Sequence, residues 1–217
     1  MSTPKKTIKP SSETTNEKKH RVFELKITIA EVDQSIWRLF QVPADIKLSK
    51  LHRVIQKIMG WHEKHLHQFV FDGECYGPKK DIELLVDRTI SSEITDDDFV
   101  DAVRDESRAK LDSLISKKEQ LFEYEYDFSD GWFHTITVER ILRRTTPLIQ
   151  AHCLEGFGAC PPEDIGGAWG YNECLSALAD TNHESHYRYK EWMGQYFEAD
   201  FYSVKVANTL LAKIPLK

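Results

Sequence analysis

Residues 121–138, LFEYEYDFSDGWFHTITV, constrain the fold of this chain more than any other stretch. Phe122, Tyr124, Tyr126 and Phe128 alternate with Glu123, Glu125 and Asp127; after the turn, Trp132, His134, Ile136 and Val138 alternate with Phe133, Thr135, Thr137 and Glu139. Alternation of aromatic and β-branched residues around a turn signal specifies a β-hairpin. Two registers compete. A two-residue turn at Asp130-Gly131 sets Asp127 opposite His134, an acid–base pair. A three-residue loop, Ser129-Asp130-Gly131 with Gly131 left-handed, sets Phe128 opposite Trp132 and Tyr126 opposite His134. A one-residue slip exchanges the faces, and only the second register gathers Phe122, Tyr124, Tyr126, Phe128, Trp132, Ile136 and Val138 on one side. Cross-strand pairs contribute about 0.2–1 kcal/mol each, so several together select the three-residue loop. That register turns His134 toward the core and the carboxylates toward solvent.

The chain has 217 residues, 41% of them hydrophobic, which is enough to build a substantial core. No apolar run approaches the ~20 residues of a membrane helix, so no membrane partner is expected. A net charge of −6 argues against broad, nonspecific nucleic-acid binding, because that binding depends on neutralising phosphates. Four cysteines (Cys75, Cys153, Cys160, Cys174) without a signal-peptide pattern are expected as reduced thiols in a cytoplasmic protein. Residues 1–20 carry one aliphatic side chain, Ile8, and read as a disordered polar tail. Residues 21–217 read as a single domain with an acidic helical insertion near 94–118.

Strands are expected near 22–30, 36–42, 66–72, 121–128 and 132–142. Helices are expected near 50–59, 97–115, 173–179, 184–196 and 204–213. The first helix is capped by Ser49 and ended by Gly60; Asn172 and Ser203 cap two later ones. This is an α+β fold, mainly antiparallel sheet packed against several helices. Residues 152–171, rich in glycine and proline, read as an irregular loop, and ordered loops of that length are often functional.

Several residues suit a pocket. Arg38 in the second strand, beside Trp37, is an anion clamp or, on general surface statistics, an exposed strand arginine or one stacked on Trp37. His65 and His67 share one face if they lie on a strand, and two imidazoles at that spacing converge on a divalent transition metal. His62-Glu63-Lys64-His65 lacks the spacing of the zinc-protease motif. Cys153 and Cys160 are too far apart for a tight zinc pair, and each reads first as a small packed hydrophobe. Cys160 aided by His134 is a nucleophile only if the fold brings the two together. Glu163 and Asp164 form either an acid or metal pair or a turn in which Asp164 bonds to backbone. Trp169 completes the set of candidate pocket residues. Gly166-Gly167 lacks the strand–glycine–helix context of a dinucleotide site.

Ile36-Trp37-Arg38, Gly60-Trp61 with His65-Leu66-His67, residues 124–128 with Asp130, Trp132 and His134, and residues 159–164 with Gly166-Gly167 and Trp169-Gly170-Tyr171 resemble the Ri-plasmid ORF-3-like family. That family is also described as passenger proteins of insertion elements, sometimes with a resolvase-like label. The resemblance runs from about Val22 to Leu211 and implies residence on plasmids and mobile elements, with no established reaction. Ser129, Gly131 and Ile165 depart from residues common in the family, as does the acidic insertion. The resolvase label fails on chemistry, because no early nucleophilic serine with supporting arginines and no DNA-reading module is present. Two readings remain. One is a non-catalytic accessory or interaction domain for a protein or nucleic-acid partner. The other is a metal-dependent hydrolase, in particular a nuclease, using His65, His67 and His134 with Glu163 or Asp164.

Overall fold

The computed structural model describes residues 19–81 and 103–216. One eight-stranded sheet runs in the order β5-β4-β3-β6-β7-β1-β2-β8. Its strands are β1 (His20–Ile29), β2 (Trp37–Pro43), β3 (His67–Phe71), β4 (Glu74–Gly77), β5 (Arg104–Asp105), β6 (Leu121–Tyr126), β7 (Trp132–Arg144) and β8 (His152–Phe157). Every pairing is antiparallel except β4 with β5. The helices among the described residues are α1 (Leu48–Met59), α2 (Leu111–Leu114), α3 (Gly167–Ala179), α4 (His186–Met193) and α5 (Val204–Leu211). The fold is therefore mostly antiparallel sheet with packed helices, as the periodicity implies.

The β6–β7 hairpin keeps the expected faces in a different register. Tyr126 stands opposite Trp132, Tyr124 opposite His134 and Phe122 opposite Ile136. The connection is the 127–131 segment, longer than the expected three-residue loop. Asp127 turns left-handed (φ 58°), its carbonyl accepts from the Gly131 N–H at 2.6 Å, and its Oδ1 accepts from the Ser129 and Asp130 N–H groups. Those side-chain bonds make an Asx turn that competes with continued pairing. A two-residue shift leaves every side chain on its original face. Phe122, Tyr124, Tyr126, Trp132, His134, Ile136 and Val138 are accordingly all buried, while Phe128 falls outside the strand and is exposed. Asp127 is a second correction: it is buried at the loop's start rather than facing solvent.

The core face continues into β1 through Leu25, Ile27 and Ile29, and into β2 through Arg38, Phe40 and Val42. Helix α1 covers this face with Leu51, Val54, Ile55 and Ile58. Its N-cap is Lys47 with no side-chain bond, so Ser49 lies inside the helix; Gly60 ends it left-handed at φ 106°. Helix α5 lies against α1 and β8 and begins at Ser203, whose Oγ accepts from the Val206 N–H.

Three further expectations change. Within 94–118 the described residues form β5 and the short α2, not one long helix, because the Glu106 N–H bonds to Gly77 O and Asp105 Oδ1 caps the Ser107 N–H. Residues 94–102 of the insertion, and 1–18 of the tail expected over 1–20, lie outside the described residues; His20, the last residue of that expected tail, instead begins β1. The glycine-rich 152–171 span is part strand and part helix: β8 pairs with β2, and α3 starts at Gly167, before the expected Asn172 cap. Asn172 instead accepts from Asp33 N–H and donates to Glu31 O, fastening α3 to the β1–β2 turn.

Candidate functional site

The 158–166 segment leaves β8, crosses the end of α1 and enters α3. It is held by side chains from four other parts of the chain. Arg38, only 1% exposed, donates from Nε to Ile58 O (3.0 Å), from Nη1 to Trp37 O (2.8 Å) and Phe157 O (2.7 Å), and from Nη2 to Gly158 O (2.9 Å). Its guanidinium lies on the Tyr202 ring at 3.7 Å. Arg38 is thus neither exposed nor stacked on Trp37. Alternation along β2 puts Trp37 on the opposite face, where Lys26 lies over its ring at 4.7 Å. With no carboxylate partner among the described residues, burial lowers the Arg38 pKa from its ordinary value, and the planar fork is spent on carbonyl oxygens.

Further along, Trp61 Nε1 donates to Pro161 O at 3.0 Å, and Tyr171 Oη donates to Ala159 O at 3.1 Å. Glu163 is nearly buried. Its Oε1 accepts from Tyr126 Oη (2.7 Å) and the His62 N–H (3.1 Å), while Oε2 pairs with Lys64 Nζ (3.1 Å). Burial pushes this carboxyl up, but those bonds and the Lys64 ammonium outweigh it and hold the group at about 2. Burial, reinforced by the Glu163 carboxylate, keeps the Tyr126 phenol protonated well above its ordinary range.

These anchors leave a cleft of about 600 Å³ between α1, the 159–163 segment and α5. Its walls are Trp61, Pro161, Pro162, Met193, Phe197, Phe201, Val206 and Leu210, with Arg38, Cys160 and Tyr202 at the base. His62, Lys64 and Glu163 form the polar rim. Burial pushes the Cys160 thiol up to about 12 despite the nearby Arg38, so it is a neutral thiol at physiological pH.

Of the residues singled out in the sequence, Arg38, Cys160 and Glu163 line this cleft; Trp37, His134, Asp164 and Trp169 do not. Trp169 is 78% exposed on α3. His134 is buried edge-on to Trp61, with ring centroids 5.4 Å apart; its Nδ1 donates to Tyr124 O at 3.1 Å, and desolvation lowers its pKa to about 4. It is a neutral core imidazole with no hydrogen bond to Cys160. His65 and His67 also separate. His67 Nε2 pairs with Glu106 Oε2 at 2.8 Å and its ring stacks on His52 at 3.4 Å. His65 stands between Asp127 (Nδ1 to Oδ2, 3.5 Å) and Asp164 (Nε2 to Oδ1, 3.4 Å). Convergence fails because β3 begins only at His67, so the two residues do not share a strand face.

Sequence reasoning missed Trp61, Tyr126, Asp127 and Tyr202 as site builders. Trp61 directly after the helix-ending Gly60 was a usable signal, since a large ring there packs back onto the helix end. Tyr202 carried none, because its contacts come from β2 and β8.

Over residues 21–206 the chain matches a family model described as plasmid pRiA4b ORF-3-like protein. It is 37% identical over 177 residues to the uncharacterized protein y4hQ of Sinorhizobium fredii (strain NBRC 101917 / NGR234), covering 80% of this chain and 81% of that one. A crystal structure of MM3350, a protein of unknown function from Methanosarcina mazei Go1, superposes with a TM-score of 0.70 at 31% identity, covering 86% of this chain and 97% of that one.

Proposed function

The chain belongs to the plasmid pRiA4b ORF-3-like family, and from that premise and the cleft we propose a non-catalytic accessory domain of a plasmid or mobile element, cytoplasmic, that binds a protein partner. The observation that carries this reading is the state of the groups around the cleft. Arg38 is occupied by carbonyls, Cys160 is held as a thiol, and Glu163 is held by Tyr126, His62 and Lys64. What the cleft offers a visitor is apolar wall: Phe201 and Val206 are both more than half exposed beside Met193, Phe197 and Leu210. A cleft of this size and lining takes one or two large apolar side chains, the usual anchor of a protein interface. Nucleic acid fits less well, since Lys64 faces Glu163 and Lys57 pairs with Glu63 at 2.9 Å, within a chain of net charge −6.

The hydrolase reading calls for His65, His67, His134 and Glu163 or Asp164 around one metal. Of that set only His65 and Asp164 come together.

Peptide-display selection on the whole chain is the test. It is expected to enrich sequences with a bulky apolar anchor, whose binding Phe201→Asp weakens at least tenfold and Trp37→Ala leaves unchanged. No enrichment, or turnover of single-stranded DNA that His65→Ala abolishes, overturns the reading.

A further inference from the structure

Away from the cleft, three segments distant in sequence meet where β3 begins. His65 comes from its lead-in, Asp127 from the first position of the hairpin loop, and Asp164 from the segment entering α3. The Asp127 N–H donates to Leu66 O at 2.8 Å, which fixes the hairpin loop against that lead-in. One donor atom from each of His65, Asp127 and Asp164 lies within 4.8 Å of the others. We infer that His65, Asp127 and Asp164 form a binding site for a divalent first-row transition metal.

Geometry supports this first. The ring gives an ion a single nitrogen, and with one oxygen from each carboxylate the three donor atoms lie within 4.8 Å of one another, a span that one ion with bonds of about 2.0–2.2 Å can draw together. Hydrogen bonding supports it independently. His65 Nε2 is buried and, among the described residues, makes no hydrogen bond, Asp164 Oδ1 approaching it only to 3.4 Å; a buried nitrogen of this kind requires a partner. Asp127 is oriented from behind: Oδ1 accepts the Ser129 and Asp130 N–H groups, leaving Oδ2 toward the imidazole. Charge points the same way. Asp127 is buried, and among the described residues neither it nor Asp164 pairs with a lysine or arginine. Two carboxylates beside one imidazole thus leave a negative excess that a dication balances.

The donor set selects the ion class. One imidazole with two carboxylates suits Zn²⁺, Mn²⁺ or Fe²⁺, and lacks the all-oxygen shell of a calcium site. Asp164 is 66% exposed, so the remaining coordination positions face water. Bound there, the ion joins the hairpin loop to the segment that walls the cleft.

Equilibrium dialysis of the full chain against Zn²⁺ and Mn²⁺ is expected to show about one equivalent of at least one ion. His65→Ala and Asp164→Asn each weaken it at least tenfold, and His62→Ala, altered on an exposed ring nearby, leaves it unchanged. Thermal unfolding of the metal-free variants checks that they fold. Because Asp164 is exposed, Asp164→Asn should keep the wild-type midpoint without metal and lose the metal-induced rise. Substitution with Co²⁺ should give visible absorption bands that the same two variants abolish. Less than a tenth of an equivalent of either ion, or full stoichiometry retained in His65→Ala, overturns the assignment.

Discussion

Two nearly buried ionic side chains close the cleft, and they are satisfied in opposite ways. Arg38 has carbonyls and a ring for partners, whereas Glu163 has a phenol, an amide and an ammonium. Arg38→Met removes donors from the carbonyls of Ile58, Trp37, Phe157 and Gly158 at once. Urea unfolding is expected to show a loss of roughly 3 kcal/mol or more, because stranded buried acceptors each cost about 1–3 kcal/mol. Arg38→Lys should not restore it, since one ammonium cannot span that fork. Glu163→Gln keeps the shape and loses the charge, for about 1–3 kcal/mol at pH 7. The sign with pH follows from its lowered pKa. Stability from the carboxylate is present above the ordinary value of 4.5 and lost as pH falls toward 2. Wild type and variant should therefore converge in stability between pH 4.5 and 2, measured by denaturant midpoints.

At the scale of elements, the hairpin loop and the start of α3 interlock. Asp130 Oδ2 accepts from the Gly166 N–H at 3.1 Å, and a Cβ on Gly167 would lie 2.2 Å from Asp130 O. Gly167 also has φ 67°, so Gly167→Ala meets both a clash with backbone and a disfavoured conformation. We expect a loss of at least about 2 kcal/mol, seen as a lower Tm, with the hairpin loop losing amide-exchange protection alongside. This contact explains what could be read in the chain and what could not. Alternation over 121–138 identified the hairpin and its buried face, because period two is a local property of extended backbone. The 127–131 loop was not legible, since Asp127 turns left-handed where its carboxylate bonds forward and its own N–H bonds to Leu66. Gly166-Gly167 read as loop for a similar reason: glycine there serves a close approach to another segment, not helix avoidance.

Across the whole molecule, the core between the sheet and α1 holds neutral imidazoles. His134 is buried with its pKa lowered to about 4, and burial lowers His52 well below its ordinary value, where Nδ1 meets Tyr124 Oη at 2.9 Å. A lowered histidine pKa means that the unfolded chain takes the proton first as pH falls. Stability should therefore be full above about pH 6.5 and decline as pH drops toward 4, by up to about 3 kcal/mol from His134 alone. Urea midpoints from pH 7.5 to 4 measure this slope, and His134→Leu should flatten it. A slope unchanged in that variant would assign the proton uptake elsewhere in the core.

What the sequence determined about the fold by itself was periodic: the strands of the central sheet, the stripe of α1 and the inward turn of His134. Each depends on neighbours a few residues away, so local backbone geometry is enough to read it. The tertiary structure alone decided which chemistry assembles. Arg38 meets Gly158, Trp61 meets Pro161, and His65 meets Asp127 and Asp164 rather than His67. Those encounters depend on the order of strands in the sheet and on where the loops leave it, and loop ends carry no periodicity from which a partner can be inferred.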